Sequence, residues 1–452
     1  MLNHQAILDG SNEAALGSRQ ALFAPPGLCH APIHRCTHRG LKERRTNDQT
    51  SRHSYQELQS VGRCRTWQVE YALGEPLPSL SCFIGPNGSG KSTLLDAFGF
   101  LSDCLTEGVE SACDKPARGG FERLRTQRAT GPIQFELFFE DDDVHRPIVY
   151  DLRINVKDGV PGVEHETLRQ RRRGQAKGKP YYFLKLTHGR GKVWSGDYDE
   201  SDKDIRSQKV KLAEPSRLGI TTLGNLGEHP RIVRIRAYIE QWYLSYFVPD
   251  AARSLPPAGA QRWLDRTGSN VGNVLQYFQR QSPKEFKEIL ARVAQAIPGL
   301  KKITPKVGED KRLLLRFDEH GYVDPFYQQS MSDGTLKMVT YNVLLADPSP
   351  RPFIGIEEPE NGLYVQLVEQ LARSLAEHAA KETRTQILVT THSPYFVDAL
   401  QPNQVWLMRK DKNGFCQATR TADIPAIQEL VDEGVPLGSL WYSRHLDDGL
   451  KA

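Results

Sequence analysis

Long apolar runs are missing from this sequence of 452 residues. None approaches the roughly 20 residues that a membrane-spanning helix requires, so action at a membrane would go through a partner. The first residues lack the basic stretch, apolar core and small-residue cleavage site of a secretory leader. Cysteine is sparse: the seven residues (Cys29, Cys36, Cys64, Cys82, Cys104, Cys113, Cys416) are odd in number and scattered without a pairing pattern. Such usage argues against a disulfide framework and for a reduced, cytoplasmic protein. Charge of one sign is not in excess either. The net charge is only +4, so a polyanion partner would need a local patch. Sustained heptads are absent, which excludes a long coiled-coil arm.

What is present begins poorly ordered. Residues 1–62 are rich in His, Arg, Ser, Asn and Gln and poor in periodic apolar positions. Cys29, His30, His34, Cys36 and His38 cluster there, but their spacing matches no standard zinc finger and no second pair follows. A disordered extension accounts for the composition as well. A third reading is a start codon placed too far upstream, since no methionine occurs between Met1 and Met331. Three further segments are expected: 63–150, 151–325 and 326–452.

The first carries chemistry. Gly85-Pro86-Asn87-Gly88-Ser89-Gly90-Lys91-Ser92 fits G-x-x-x-x-G-K-[ST] at every fixed position. Apolar Leu80, Cys82, Phe83 and Ile84 precede it, and helix-forming residues from Thr93 to Leu101 follow. This strand–loop–helix context is the one the motif requires. Its glycines let backbone N–H groups turn toward phosphate oxygens, and the helix start adds its positive dipole end. Lys91 would reach the β- and γ-phosphates, and the Ser92 hydroxyl would ligate Mg²⁺. Alternating segments at Trp67–Leu73 and Ile133–Phe139 are expected to be strands, as are Ile148–Ile154 and Tyr181–Leu186 with a basic loop between them.

Residues 151–325 hold no further nucleotide motif. Helices are expected at Val271–Arg280 and Pro283–Ile297, the second opened by proline. Leu313–Phe317 reads as a strand returning to the nucleotide-binding unit.

The last segment supplies a second set of candidates. Phe353-Ile354-Gly355-Ile356-Glu357-Glu358 is an apolar strand ending in two carboxylates, the pattern of a Walker B segment. Glu357 is assigned to the metal, through water, and Glu358 as general base. Ile387–Ser393 is another buried strand that delivers His392, whose neutral ring can hydrogen-bond a γ-phosphate and its attacking water. Ser332-Asp333-Gly334-Thr335 opens an apolar helix whose start, with Ser332 and Gly334, can hold a phosphate.

In order and residue type these four segments resemble the ABC-type ATPases. The likeness is to the SMC/RecF/OLD-like branch, and within it to bacterial stand-alone AAA family ATPases, over residues 65–445. The resemblance implies an α/β P-loop NTPase of ABC-head type, a mixed sheet with flanking helices and an inserted α+β region. It implies ATP, held by Gly85–Thr93, with Mg²⁺ at Ser92 and Glu357. It also implies a homodimer in which Ser332 and Gly334 complete the partner's site, with Asn361-Gly362-Leu363 as the D-loop that lets the two sites sense each other. Two departures stand out: Ser332-Asp333-Gly334-Thr335 stands where that family's signature has Ser-Gly-Gly-Gln, so Asp333 occupies the first glycine position, and Tyr364-Val365 replaces His-Pro after the D-loop. The Q-loop has only Gln134 as a candidate.

An ATPase is therefore expected, with hydrolysis driving a switch that acts on nucleic acid or on a separate effector protein. The basic run Arg169-Gln170-Arg171-Arg172-Arg173, continued by Lys177 and Lys179, is the candidate nucleic-acid contact, against a solvated hairpin tip. The alternatives are a transporter ATPase subunit and a non-hydrolysing ATP-gated module. The large 150–325 segment weighs against the first, and the presence of Glu358 and His392 against the second. About 60 residues follow His392, too few for a separate nuclease domain of ordinary size.

Overall fold

In the computed structural model the described residues are 64–66 and 77–448, apart from 127–128, 140–147, 171–180, 196–205, 348, 382–384 and 412–413. The extension 1–62 with its Cys/His cluster, the expected strand Trp67–Leu73 and most of the basic run 171–179 lie outside them.

A six-stranded sheet forms the centre. From one edge its strands are Cys416–Arg420, Val405–Lys410, Leu80–Ile84, Gln386–Thr390, Phe353–Glu357 and Tyr243–Ser245. All neighbours run parallel except the edge hairpin of 405–410 with 416–420. Parallel strands covered on both faces need apolar residues at nearly every position, which is why 80–84 and 386–390 are buried throughout. Alternate side chains serve two different cores. Leu80, Cys82, Ile84, Ile354, Ile356, Ile387 and Val389 join helices 333–345 and 365–381. Phe83, Phe353, Leu388 and Trp406 face the other way, onto the helix Lys91–Thr106. Burying each of these side chains stabilises the fold by roughly 1.5–3 kcal/mol before entropy is counted.

A second, antiparallel sheet of seven strands (64–66, 133–139, 148–157, 160–170, 181–187, 190–194, 207–211) packs on the same helix 91–106 and its neighbours. The loop expected between 154 and 181 is in large part a strand, 160–170. Its alternation is masked by Pro161, Gly162 and a charged residue that faces inward, Glu166. Arg169 thus lies in a strand and pairs with Glu136 at 2.6 Å. Glu166, fully buried, accepts from Tyr150 Oη at 3.0 Å and from the backbone N–H groups of Gly219 and Ile220, tying this sheet to the helix 219–223.

The helices 271–281 and 283–296 form as expected. Leu313–Glu319, however, does not join the central sheet. It lies in a separate three-stranded sheet between 300–307 and 326–327, where Leu313, Leu315 and Phe317 are buried by alternation. An apolar strand signals burial but not which sheet it enters.

One buried ionic cluster fixes the helix that follows the phosphate loop. Arg118 donates to Asp96 at 2.7 Å and to Asp103 at 2.8 Å, both on that helix, and to the carbonyl of Ala112 at 3.0 Å. Lys115 and Arg266 complete the shell of Asp103 at 2.9 and 3.3 Å. These cations outweigh burial and hold the Asp103 carboxyl below its usual range. Removing the guanidinium would leave buried carboxylate charge uncompensated. Arg118→Met is expected to lower unfolding free energy by about 3 kcal/mol or more. Urea denaturation followed by circular dichroism measures it.

Candidate functional site

The phosphate loop joins Leu80–Ile84 to the helix 91–106. Gly90 sits at the helix start with φ 102°, a left-handed conformation that side chains oppose. A Cβ there would also stand 2.6 Å from Cys416 Sγ on the edge strand, so both backbone and neighbour demand glycine. Pro86, Asn87 and Gly88 are exposed at the tip, whereas Ser89, Gly90 and Lys91 are buried. Lys91 folds back, its Nζ donating to the carbonyls of Gly85 (2.9 Å) and Pro86 (3.3 Å). Burial draws its pKa down, opposed by Glu358, Glu360 and Glu357.

The residues fit a phosphate and its metal. Ser89 Oγ is buried without a hydrogen-bond partner, an orphaned group that a phosphate oxygen would satisfy. The Ser92 hydroxyl lies close enough to the Glu357 carboxylate to favour its charged form, so two hard oxygen ligands stand together. Burial pushes the Glu357 pKa up, the nearby Ser92 hydroxyl opposes this, and Glu358 and Asp96 add like charge. A divalent cation would relieve this crowding of carboxylates.

Glu358 leaves the strand in a turn with φ 42°, unusual for a side chain with a Cβ and costing on the order of 1–2 kcal/mol. Its N–H still bonds the carbonyl of Thr390 at 2.9 Å. The carboxylate is held from two sides. Asn361 Nδ2 donates to Oε2 at 2.8 Å, and His392 Nε2 lies 3.2 Å from Oε1. Burial and then Lys91 lower the His392 pKa, opposed by Glu358 and Glu360, so the ring favours its neutral form. A neutral ring protonated at Nε2 donates to Glu358 in this geometry.

Ser332 caps the helix Asp333–Leu345, its Oγ accepting from Thr335 N–H at 3.1 Å. Gly334 packs directly on the 361–363 turn, where an added Cβ would be 3.2 Å from the Gly362 carbonyl. Asp333 in the glycine position has a local reason: it takes Arg253, which also bonds Asp250 at 2.7 Å and the Met331 carbonyl at 3.0 Å. Gln134 is placed differently. It donates to Asp151 at 3.3 Å across the antiparallel sheet, so its partner lies within that sheet.

Two residues that motif reading passed over belong to the site. Lys337, one turn beyond Gly334, is 4% exposed and donates to the Asn361 carbonyl at 2.5 Å. Burial lowers its pKa against the pull of Glu360, Asp333 and Glu358. It lines a cavity of about 430 Å³ with Tyr246, Phe247, Glu357, Glu358 and Asn361. Glu360 is the other: its Oε1 accepts the His392 backbone N–H at 2.6 Å. The signal for both was modest, a lysine inside an apolar helix and a third acid after Glu357-Glu358.

A family profile described as "AAA domain, putative AbiEii toxin, Type IV TA system" matches residues 80–398, more than half of the chain. The chain belongs to this AAA-domain family. The segments from the phosphate loop to His392 all fall inside this match. No curated relative matches. Among solved structures, the AAA-domain chain is similar to an Smc head bound to the C-winged helix domain of ScpA. The identity is 14%, the TM-score 0.46, and the match covers 76% of this chain and 91% of that one. A Pyrococcus furiosus-derived Smc head domain with an extended coiled coil, bound to the C-terminal domain of ScpA, matches at 12% identity and TM-score 0.41, covering 79% and 94%. The SMC head domain from Thermotoga maritima matches at 15% and 0.32, covering 77% and 94%. The fold is that of an α/β P-loop NTPase.

Gly90→Ala is expected to abolish nucleotide binding. The added methyl meets Cys416 and the loop loses its left-handed turn. Calorimetric titration with ATP and Mg²⁺ checks this, with circular dichroism reporting that the fold persists.

Proposed function

We propose that this AAA-domain protein binds ATP with Mg²⁺ and hydrolyses it at the interface of a homodimer, driving a conformational switch in the cytoplasm. The observation that carries the reading is the convergence of Ser92–Glu357 and Glu358–His392 beside Lys91. Gly85–Thr93 would hold the phosphates, with Ser89 Oγ and the N–H groups at the helix start as donors. Ser92 and Glu357 would hold Mg²⁺, which supplies charge neutralisation for phosphoryl transfer. Lys91 would leave its carbonyl partners for the phosphates. Glu358, oriented by Asn361 and His392, would take the proton of the attacking water at its carboxylate.

Ser332 and Gly334 would complete the partner's site from across the dimer. The helix start, exposed at Ser332 and Asp333 and packed on Asn361–Leu363 at the buried Gly334, supports this because phosphate arriving there would press on the turn that holds Glu358. The switch would act on nucleic acid or a separate effector protein. Among the described residues no helix is long and apolar enough to cross a membrane.

Glu358→Gln is expected to bind ATP normally, to lose turnover by about a hundredfold or more, and to accumulate as a stable dimer with ATP. Phosphate release and light scattering measure the two effects. A monomer with unchanged hydrolysis would overturn both the base assignment and the dimer.

Within the helix start, Ser332→Ala removes the side-chain acceptor for Thr335 N–H. It is expected to cost about 1 kcal/mol of stability while reducing ATP-dependent dimerisation, measured by analytical ultracentrifugation.

A further inference from the structure

The parallel ladder between Phe353–Glu357 and Gln386–Thr390 ends at the pair Glu357 and Thr390. Beyond it the two chains carry Glu358 and His392, and Pro359 interrupts the backbone donors between them. The first step past the ladder is still a backbone bond, Glu358 N–H to the Thr390 carbonyl at 2.9 Å. The next is not. The His392 N–H is taken instead by a side chain, Glu360 Oε1, at 2.6 Å. On the other side Thr391 is fixed by its own N–H to the Phe83 carbonyl at 3.2 Å, and the Ser393 N–H bonds Thr391 Oγ1 at 3.0 Å.

We infer that Glu360 is a positioning residue for His392, a side-chain rung that continues the ladder past Pro359 and sets the imidazole against Glu358. The inference rests on the ATPase reading above. Two turns carry the reacting side chains, and Glu360 adds a side-chain bond to the His392 backbone beside the contact that His392 Nε2 makes with Glu358. Without it the His392 N–H loses its acceptor, and the turn keeps only its Thr391 bonds to hold the imidazole in place. His392 Nε2 then leaves its 3.2 Å approach to Glu358. The second oxygen, Oε2, is buried with no hydrogen-bond partner, so it does not anchor the side chain elsewhere. The anchoring function falls to Oε1, and it needs an acceptor oxygen rather than a negative charge. Glutamine supplies that oxygen at the same distance from the backbone; alanine does not.

The test uses the full chain with ATP and Mg²⁺, comparing Glu360→Ala, Glu360→Gln, His392→Ala and the His392→Ala/Glu360→Ala double variant. Glu360→Ala is expected to lower kcat about tenfold, with the dissociation constant for ATP within twofold of wild type. Glu360→Gln is expected to restore most of kcat. The double variant is expected to match His392→Ala, because both changes remove one function.

Costs that add in the double variant would overturn the tether, as would Glu360→Gln as slow as Glu360→Ala. Loss of ATP affinity in Glu360→Ala would also overturn it, by making the residue structural for the whole site. Wild-type turnover in His392→Ala would instead sink the reading of His392 as part of the machinery. Inactive His392→Ala beside fully active Glu360→Ala would sink the tether alone.

Discussion

Three parallel strands end at the same edge of one buried sheet, and the site follows from their register. Phe83 pairs with Thr390 and Thr390 with Glu357, so the segments beginning at Gly85, Glu358 and Thr391 leave the sheet side by side. The ladder is rigid because its strands are buried on both faces, each alternate residue packing into one of two cores. Slipping one strand by one residue would exchange those faces and separate Ser92 from Glu357. Hydrophobic packing thus sets the relative height of groups that never touch the core.

The polar groups above the sheet are held under electrostatic tension. Lys91 and Lys337 are buried ammonium groups whose pKa values burial lowers, and Glu357 is a carboxylate whose pKa it raises. The two lysines are satisfied locally, Lys91 by loop carbonyls and Lys337 by the Asn361 carbonyl, while the Ser92 hydroxyl favours the charged form of Glu357. These bonds are ones a phosphate and a metal would replace. A continuous line of contacts runs from the 333–345 helix through Lys337, Asn361 and Glu358 to His392 and Glu360. It joins the helix start that would face a partner with the carboxylate that would act on water.

Much of this was legible in the residues. The phosphate loop, the 353–357 and 386–390 strands and the Ser332 cap were visible because glycine pattern, apolar runs and capping chemistry are local properties. The strand 160–170 is hidden in the sequence because Pro161 and Gly162 are poor strand formers and the buried positions 166–168 begin with a carboxylate, Glu166. The strand 313–319, expected to return to the nucleotide-binding unit, shares a core with the central strands through Leu315 and Phe317 yet lies in a sheet of its own, since alternation carries no address. Gln134 is a Q-loop candidate only by its distance beyond Lys91, and in the fold it donates to Asp151 within the antiparallel sheet.

By itself the sequence determined that a phosphate-binding loop exists and which acids and histidine accompany it, because those signals need only neighbours along the chain. Tertiary structure decided which of them meet. Ser92 reaches Glu357 across 265 positions of sequence, Asn361 and His392 grip one carboxylate, and Glu360 bridges two turns that the sequence keeps 32 residues apart. Contacts of that span are set by sheet register and helix packing, which no local pattern encodes. Lys337 is the clearest case: on the sequence it is one polar residue in an apolar helix, and in the fold it is the cation that holds the turn beside Glu358.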